Sequence, residues 1–478
     1  MNIIKIFWKQ SAIYGFGTFI VRAISFFLLP LYTNYFNQSE VGHIFLLFAF
    51  IAFCQIFYNH GLDSAFIKYY STASDNKNQY GNTLLISLYI TSIILSILLI
   101  VTSEFISNKI LFFPNSVWIY YCAAILFFDS TANRILTLLR IQNRSWFFLL
   151  INVSNVLITL VANFIFVIYL NLGISGILLG TLLGSIFKWI PLLPTSVRLL
   201  FEGTFSLKVY KKCLKFGLPF LPASFFYIIM EISDRYFILI FSNASEVGIY
   251  SIGYKIGSIA MLIIIAFNLG WQPFYNRLGK STNDIKTFSQ IGSYFMFLIM
   301  SISVLIIIWT PIFMKIKISG THIIGENFWA AYEIIPFILF SYIIYALYII
   351  HMPPMYILEK QNWAPLFRGI GALTNITLNL LLIPYYSIKG AAVATLISYL
   401  VMTFFIYYKS NQWMKIPYKF NLIIKQFIIT ILAAIIFIQI DYNILNAITA
   451  SILYFCALLL IGFKEIFTKV YKQLVADE

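Results

Sequence analysis

The chain has 478 residues, 61% of them hydrophobic and only 10% charged, with a mean hydropathy of +0.87. A soluble protein of this length would carry about 25% charged residues, so the composition excludes a soluble enzyme or scaffold. The formal net charge of +15 does not point to nucleic acid, because the basic residues are scattered through short connections between apolar runs, which is the pattern of membrane topology.

The apolar runs recur from end to end, and each is long enough to cross the ~30 Å hydrocarbon core as a helix. They are continuous rather than alternating, which argues against a β-barrel. The expected fold is an all-α polytopic membrane protein of about fourteen helices, placed at roughly 11–34, 41–62, 81–103, 116–139, 146–170, 174–197, 216–241, 247–275, 288–312, 328–352, 363–383, 388–408, 422–439 and 443–462. The first run is too long for a signal-peptide core and has no small-residue cleavage site. Cys54, Cys122, Cys213 and Cys456 lie in or beside spans without paired spacing, so neither a disulfide frame nor a metal site is expected.

With the N-terminus in the cytoplasm, 25 of the 32 Lys and Arg fall on the cytoplasmic side, four (Lys109, Lys315, Lys317, Lys389) fall outside, and Arg22, Arg235 and Lys255 stay within spans. That asymmetry places both termini inside. The connections are short. The basic stretch KVYKKCLK (208–215) reads as an amphipathic linker at anionic lipid headgroups.

The chain repeats itself. NQSEVG (37–42) precedes the second span and NASEVG (243–248) precedes the eighth, six spans later and on the same side. Gln142-Asn143 with Trp146 is echoed by Gln361-Asn362-Trp363. Thr159 and Asn163 are echoed by Asn375 and Asn379, and GISG (173–176) by SIKG (387–390). A parallel duplication follows, with an N-terminal six-helix lobe over 1–206, a second over 207–410, and two further helices with a tail over 411–478. The lobes are expected to be pseudo-symmetric around a central cavity.

VRAISFFLLPLYTNYFNQSEVG, GLDSAFIKYY, SDRYFILIFSNASEVGIYSIGYK, WQPFYNR and NITLNLLLIPYYSIKGAAVAT, in this order, resemble the Wzx-type polysaccharide flippases. These are the O-antigen and repeat-unit transporters of the multidrug/oligosaccharidyl-lipid/polysaccharide superfamily. The resemblance runs through the twelfth span. It implies two six-helix bundles around a cavity. It also implies movement of an undecaprenyl-pyrophosphate-linked oligosaccharide across a bacterial inner membrane for O-antigen, lipopolysaccharide or capsule synthesis. Membrane lipids, and the polymerase and chain-length proteins of the same pathway, would be the partners.

The residues point the same way. A charge at bilayer depth costs at least ~2.5–3.5 kcal/mol, so it faces a partner or a wet cavity. Asp129, Asn133, Leu136 and Arg140 share one face of the fourth span. Ser224, Tyr227, Glu231 and Asp234 share one face of the seventh, with Arg235 at its edge, and Ser251, Lys255 and Ser258 share one face of the eighth. A pyrophosphate needs cations, for which Arg22 and Lys255, then Arg134 and Arg235, are the candidates. Asn155, Asn163, Asn375 and Asn379 could bind sugar hydroxyls or, equally, hold helices together. Arg22 could instead pair with Asp63 or Asp129, and Lys255 with Glu231 or Asp234. Asp129, Glu231, Asp234 and Asp63 are candidates for gating or for a coupling H+ or Na+.

No P-loop, metal box, nucleophile elbow or soluble carboxylate pair appears, so no enzyme activity, cofactor or metal is expected. A cation-coupled drug antiporter of the same superfamily would favour an acidic first span, and here that span carries Arg22. A lipid II flippase fits the helix count. A membrane glycosyltransferase or polymerase would need a sizeable outer loop, and KIKISGTHIIGENF (315–328) is modest.

Overall fold

The computed structural model describes residues 20–460, apart from 22, 73–75, 114, 143, 278–281, 319 and 439–441. The fold is the expected all-α membrane fold. Among the described residues, nine helical stretches are long and apolar enough to cross a membrane. The number is ten if Ala244–Gly257 and Ile259–Gln272, bent by 41° at their junction, form one span.

The first compact unit is Met1–Gly248. Its helices are α1 (Leu28–Tyr35), α2 (Gln38–Asn59), α3 (Leu62–Thr72), α4 (Lys77–Val101), α5 (Val117–Ile141), α6 (Ser145–Phe164), α7 (Gly173–Trp189), α8 (Leu193–Phe201), α9 (Leu207–Gly217) and α10 (Leu221–Phe241). Its core joins Leu62, Phe66 and Tyr70 of α3, Leu84 and Leu85 of α4, Ile135 and Leu139 of α5, and Cys213 of α9. The linker helix thus buries its apolar face in this unit, and α9 packs on α3.

The second unit is Ile249–Glu478. After α11 (Ala244–Gly257), which begins in the first unit, come α12 (Ile259–Arg277), α13 (Thr282–Lys315), α14 (Ile335–Ile350), α15 (Pro353–Ile357), α16 (Ala364–Trp413), α17 (Phe420–Ile438) and α18 (Ile444–Leu458). A two-residue hairpin, β1 (Lys317–Ile318) with β2 (Thr321–His322), follows α13. Val304 and Ile308 of α13, Phe437 of α17 and Tyr454 of α18 form one core cluster. Gln426 of α17, wholly buried, donates to the Phe297 carbonyl at 3.0 Å. α16 is hydrogen-bonded as one helix but turns at Ser387 (φ 45°, ψ −126°). A straight helix of this length would far exceed the ~30 Å core, and the turn gives two arms that match the eleventh and twelfth expected spans.

The repeat has a physical identity at two of its echoes. Asn37 accepts from the Glu40 backbone N–H at 2.9 Å while the Glu40 carboxylate accepts from the Asn37 N–H at 2.9 Å, a complete capping box. Asn243 caps α11 likewise, accepting from the Glu246 N–H at 2.9 Å. The conserved spelling of the two hexapeptides is therefore a helix-start signal written twice. At the second echo, Gly173 (φ 56°) and Ser387 (φ 45°) both take a positive φ, which lets the chain reverse. Three residues on, Gly176 and Gly390 each press on the preceding arm, where a Cβ would meet Phe166 backbone at 3.2 Å and the Leu382 oxygen at 2.6 Å. Asn143, part of a third echo, lies outside the described residues.

Candidate functional site: buried charges in the membrane spans

In the first unit, the α2–α3 turn, α5 and α7 bring together a polar network inside otherwise apolar packing. The α2–α3 turn is held where Gly61 (φ 75°) meets Gly217 at the end of α9. A Cβ on Gly61 would lie 2.3 Å from the Gly217 oxygen, and one on Gly217 would lie 2.6 Å from the Gly61 oxygen. Only glycine permits that approach, and it fixes Asp63 at the start of α3. Arg134 of α5 reaches Asp63 at 3.0 Å and lies with its guanidinium 5.5 Å from the centre of the Phe66 ring. The contact is an ion pair by distance, without the alignment of a hydrogen bond.

One turn away, Lys188 of α7 lies 2.6 Å from Asp129 and donates to Asn133 Oδ1 at 3.3 Å. Asp129 and Asn133 therefore share a face of α5 and hold one cation between them. Gln55 of α2 adds a bond to Ser130 at 2.9 Å. The cations are the buried members of both pairs: the Arg134 side chain is 1% exposed and that of Lys188 9%, against 41% for Asp63 and 25% for Asp129. Charge buried in this way must be paired, because stripping water from an ion costs more than packing returns. The accessible groups here are carboxylates.

The remaining first-unit residues lie elsewhere. Asn163 is fully buried at the α6–α7 seam, where a Cβ on Gly180 would fall 2.0 Å from its Oδ1. Gly184 gives the same close fit to Thr159 Oγ1 at 2.0 Å and to the Asn155 carbonyl at 3.1 Å. This is close helix packing through small residues with polar side chains filling the notch. Arg140 is exposed at the end of α5. On α10, Asp234 and Arg235 are buried, and the Arg235 guanidinium donates to the Glu231 carbonyl at 2.8 Å.

In the second unit, Lys255 is half-buried on the last turn of α11. Three residues later the span bends, and Ser258 donates to the Lys255 carbonyl at 2.7 Å, which satisfies a backbone acceptor that the bend releases. Asn379 donates to Asn375 Oδ1 at 3.0 Å one turn away on α16, both fully buried. Tyr342 donates to the Tyr254 hydroxyl at 3.2 Å. Arg22 lies outside the described residues. An open cavity of about 430 Å³ lined by Arg144, Ser145, Trp146 and Phe147 opens at the start of α6 and holds none of these groups.

The structure thus joins Asp63 with Arg134 and Asp129 with Asn133. It adds Lys188 and Gln55, which the sequence reading passed over. Lys188 carries a legible signal: it falls well inside the apolar run of the sixth span, although the topology places it with the charges of the cytoplasmic segments and helix ends.

A family model described as polysaccharide biosynthesis protein matches residues 7–278. No curated protein matches the chain. Among solved structures, the fold is similar to the lipid II flippase MurJ in an inward closed conformation, at 15% identity over 95% of this chain and 99% of that one, with a TM-score of 0.76. It is also similar to an inward-facing multidrug resistance MATE family transporter of the MOP superfamily, at 12% identity over 82% and 97% with a TM-score of 0.64. A third is the Vibrio cholerae MATE transporter VcmN in a bent form, at 12% identity over 86% and 98% with a TM-score of 0.57.

Proposed function

The chain belongs to the polysaccharide biosynthesis protein family, within the multidrug/oligosaccharidyl-lipid/polysaccharide superfamily, and from that membership we propose that it flips undecaprenyl-pyrophosphate-linked oligosaccharide repeat units. The direction is from the cytoplasmic to the outer leaflet of a bacterial inner membrane, with both termini cytoplasmic, in service of O-antigen or capsule synthesis. The observation that carries this reading is the nearly full-length fold likeness of a polysaccharide-family chain to a lipid II flippase.

The duplicated lobes over 1–206 and 207–410 would alternate access to a shared path, with 411–478 as an appendix. Arg22, Lys255 and Arg235 are the proposed pyrophosphate contacts, joined by Arg134 if its pair with Asp63 opens during the cycle. Asn155, Asn163, Asn375 and Asn379 are the proposed sugar contacts, available where the packed seams part. Asp129, Asp63, Glu231 and Asp234 would carry a coupling ion or a gate. The partial exposure of Asp63 and Asp129 beside buried cations also suits a cation-coupled antiporter, which is the second reading.

The test is complementation of a bacterium that lacks its repeat-unit flippase, at matched membrane levels, scoring surface polysaccharide and stalled lipid-linked intermediate. Rescue by wild type, with stalling by Arg22→Ala and Lys255→Ala, supports the flippase and its cationic site. Failure to rescue across several repeat-unit backgrounds, with export of cationic dyes instead, moves the reading to the antiporter.

A further inference from the structure

We infer that α9, with the facing edges of α3 and α4, forms a composite seat for the phosphate headgroup of an anionic phospholipid. This names a defined site, where the sequence alone suggests only a basic stretch near a charged surface.

Four lysines of α9, Lys208, Lys211, Lys212 and Lys215, are all exposed. At 3.6 residues per turn they fall within an arc of about 100°. The opposite side buries Cys213 and Gly217 in the first unit. The helix carries no acidic residue. Among the described residues, Asp63 is paired with Arg134, and Glu202 with Arg198 at 2.6 Å.

The lysine arc meets an aromatic cluster built by all three helices. Tyr69 of α3 stacks on Tyr80 of α4 (5.7 Å between ring centres, 17° between planes) and meets Phe216 of α9 edge-on at 5.5 Å. Two exposed ammonium groups flank that cluster. Lys68 lies 4.1 Å from the Phe216 ring centre. Lys212 lies 4.6 Å from that of Tyr69 and donates to the Tyr80 hydroxyl at 2.9 Å. The Tyr80 contact holds the Lys212 ammonium protonated above its ordinary range. Tyr80, having accepted from Lys212, still has its own proton to donate. Two cations and a phenol O–H gathered around one aromatic cluster are the chemistry that holds a phosphate oxygen.

The surroundings select a lipid over a soluble anion. Phe201 is 85% exposed, and Phe205 and Leu207 are about half exposed beside the first lysine. Exposed apolar side chains flanking a lysine-rich face are the mark of a helix lying in the headgroup region, with rings toward the acyl chains and charges toward phosphate. The reciprocal Gly61–Gly217 contact ties this seat to the turn that carries Asp63, so headgroup occupancy would steady the first unit's polar network.

The test uses the purified full chain in neutral detergent, titrated with phosphatidylglycerol or phosphatidylcholine, with bound lipid counted by native mass spectrometry. Wild type is expected to retain phosphatidylglycerol roughly tenfold or more in preference to phosphatidylcholine. Lys68→Gln/Lys212→Gln should remove most of that preference, and Lys68→Arg/Lys212→Arg should keep it. Three results overturn the proposal, the first two being a Gln variant that melts like wild type and keeps the full preference, and no preference in wild type. A third is displacement of phosphatidylglycerol by an equal concentration of inorganic pyrophosphate, which would mark a site for soluble anions.

Discussion

Gly42 and Gly248, 206 positions apart in sequence, meet backbone to backbone at the starts of α2 and α11. A Cβ on Gly42 would lie 1.9 Å from the Ala244 oxygen, and one on Gly248 would lie 2.1 Å from the Gln38 oxygen. Gln38 and Ala244 are themselves equivalent positions of the repeat. The contact is therefore its own mirror under the duplication: each copy of the hexapeptide offers a glycine to the backbone of the other. The final glycine of NQSEVG and NASEVG has a packing reason separate from the capping reason of the Asn and Glu.

This contact predicts strong, non-additive substitutions. Gly42→Ala and Gly248→Ala each force two backbones apart and should each destabilise the protein by about 1–3 kcal/mol. Because both act on one contact, the double variant should cost clearly less than the sum. Thermal unfolding in detergent of the four proteins in the cycle measures this, and simple additivity would show that the two glycines do not share a contact.

Gly180→Ala should clash with Asn163, whose Oδ1 lies 2.0 Å from the new Cβ position. The offending atom is the end of a side chain, so it can be removed. Asn163→Ala introduced together with Gly180→Ala should recover a large part of the lost melting temperature. No recovery would mean that the helices are held apart by backbone rather than by this side chain.

The ion pair of Asp63 and Arg134 should respond asymmetrically. Removing Asp63 leaves Arg134, 1% exposed, as an uncompensated buried charge, a situation that costs about 3–5 kcal/mol. Removing Arg134 leaves a carboxylate that is 41% exposed and can be hydrated. Asp63→Ala is thus expected to lower the melting temperature more than Arg134→Met, which retains much of the packing on Phe66. Equal effects would argue that Arg134 gains water when Asp63 is lost.

Asp129→Asn, which leaves Lys188 at 9% exposure without its carboxylate, should lower the melting temperature more than Lys188→Ala, which leaves a carboxylate that is 25% exposed. If Asp129 carries the coupling ion, Asp129→Asn should also flatten any dependence of flipping on pH or Na+. Flipping measured in proteoliposomes with imposed proton and sodium gradients checks this. An Asp129→Asn variant that keeps the wild-type ion response removes Asp129 from the coupling role and leaves it as the anchor of Lys188.

Much of the fold was legible because its causes are local. A run of apolar residues long enough to cross the bilayer must be helical, since its backbone has no other source of hydrogen bonds there. The Asn-x-x-Glu spacing is a helix-start pattern that caps helices at both Asn37 and Asn243, although the apolar runs alone placed both hexapeptides ahead of their spans. The reversals at Gly173 and Ser387 fell where the aligned GISG and SIKG placed them. The charged residues within the spans were legible as a class, because the cost of burying charge makes each one conspicuous.

The sequence by itself determined the membrane class and the helical fold, each the outcome of short-range physics acting on neighbouring residues, and it displays the repeated hexapeptide directly. Only the tertiary structure decided which buried charge meets which. Asp129 and Arg134 are five residues apart on one helix, yet they face different neighbours, Lys188 of α7 and Asp63 of α3. Nothing in the spacing along α5 names those partners. They follow from which helices pack beside α5 and from the Gly61–Gly217 approach that fixes the α3 turn. Helical periodicity assigns a side chain to a face, and the neighbour that occupies that face is chosen by the packing of segments distant in sequence.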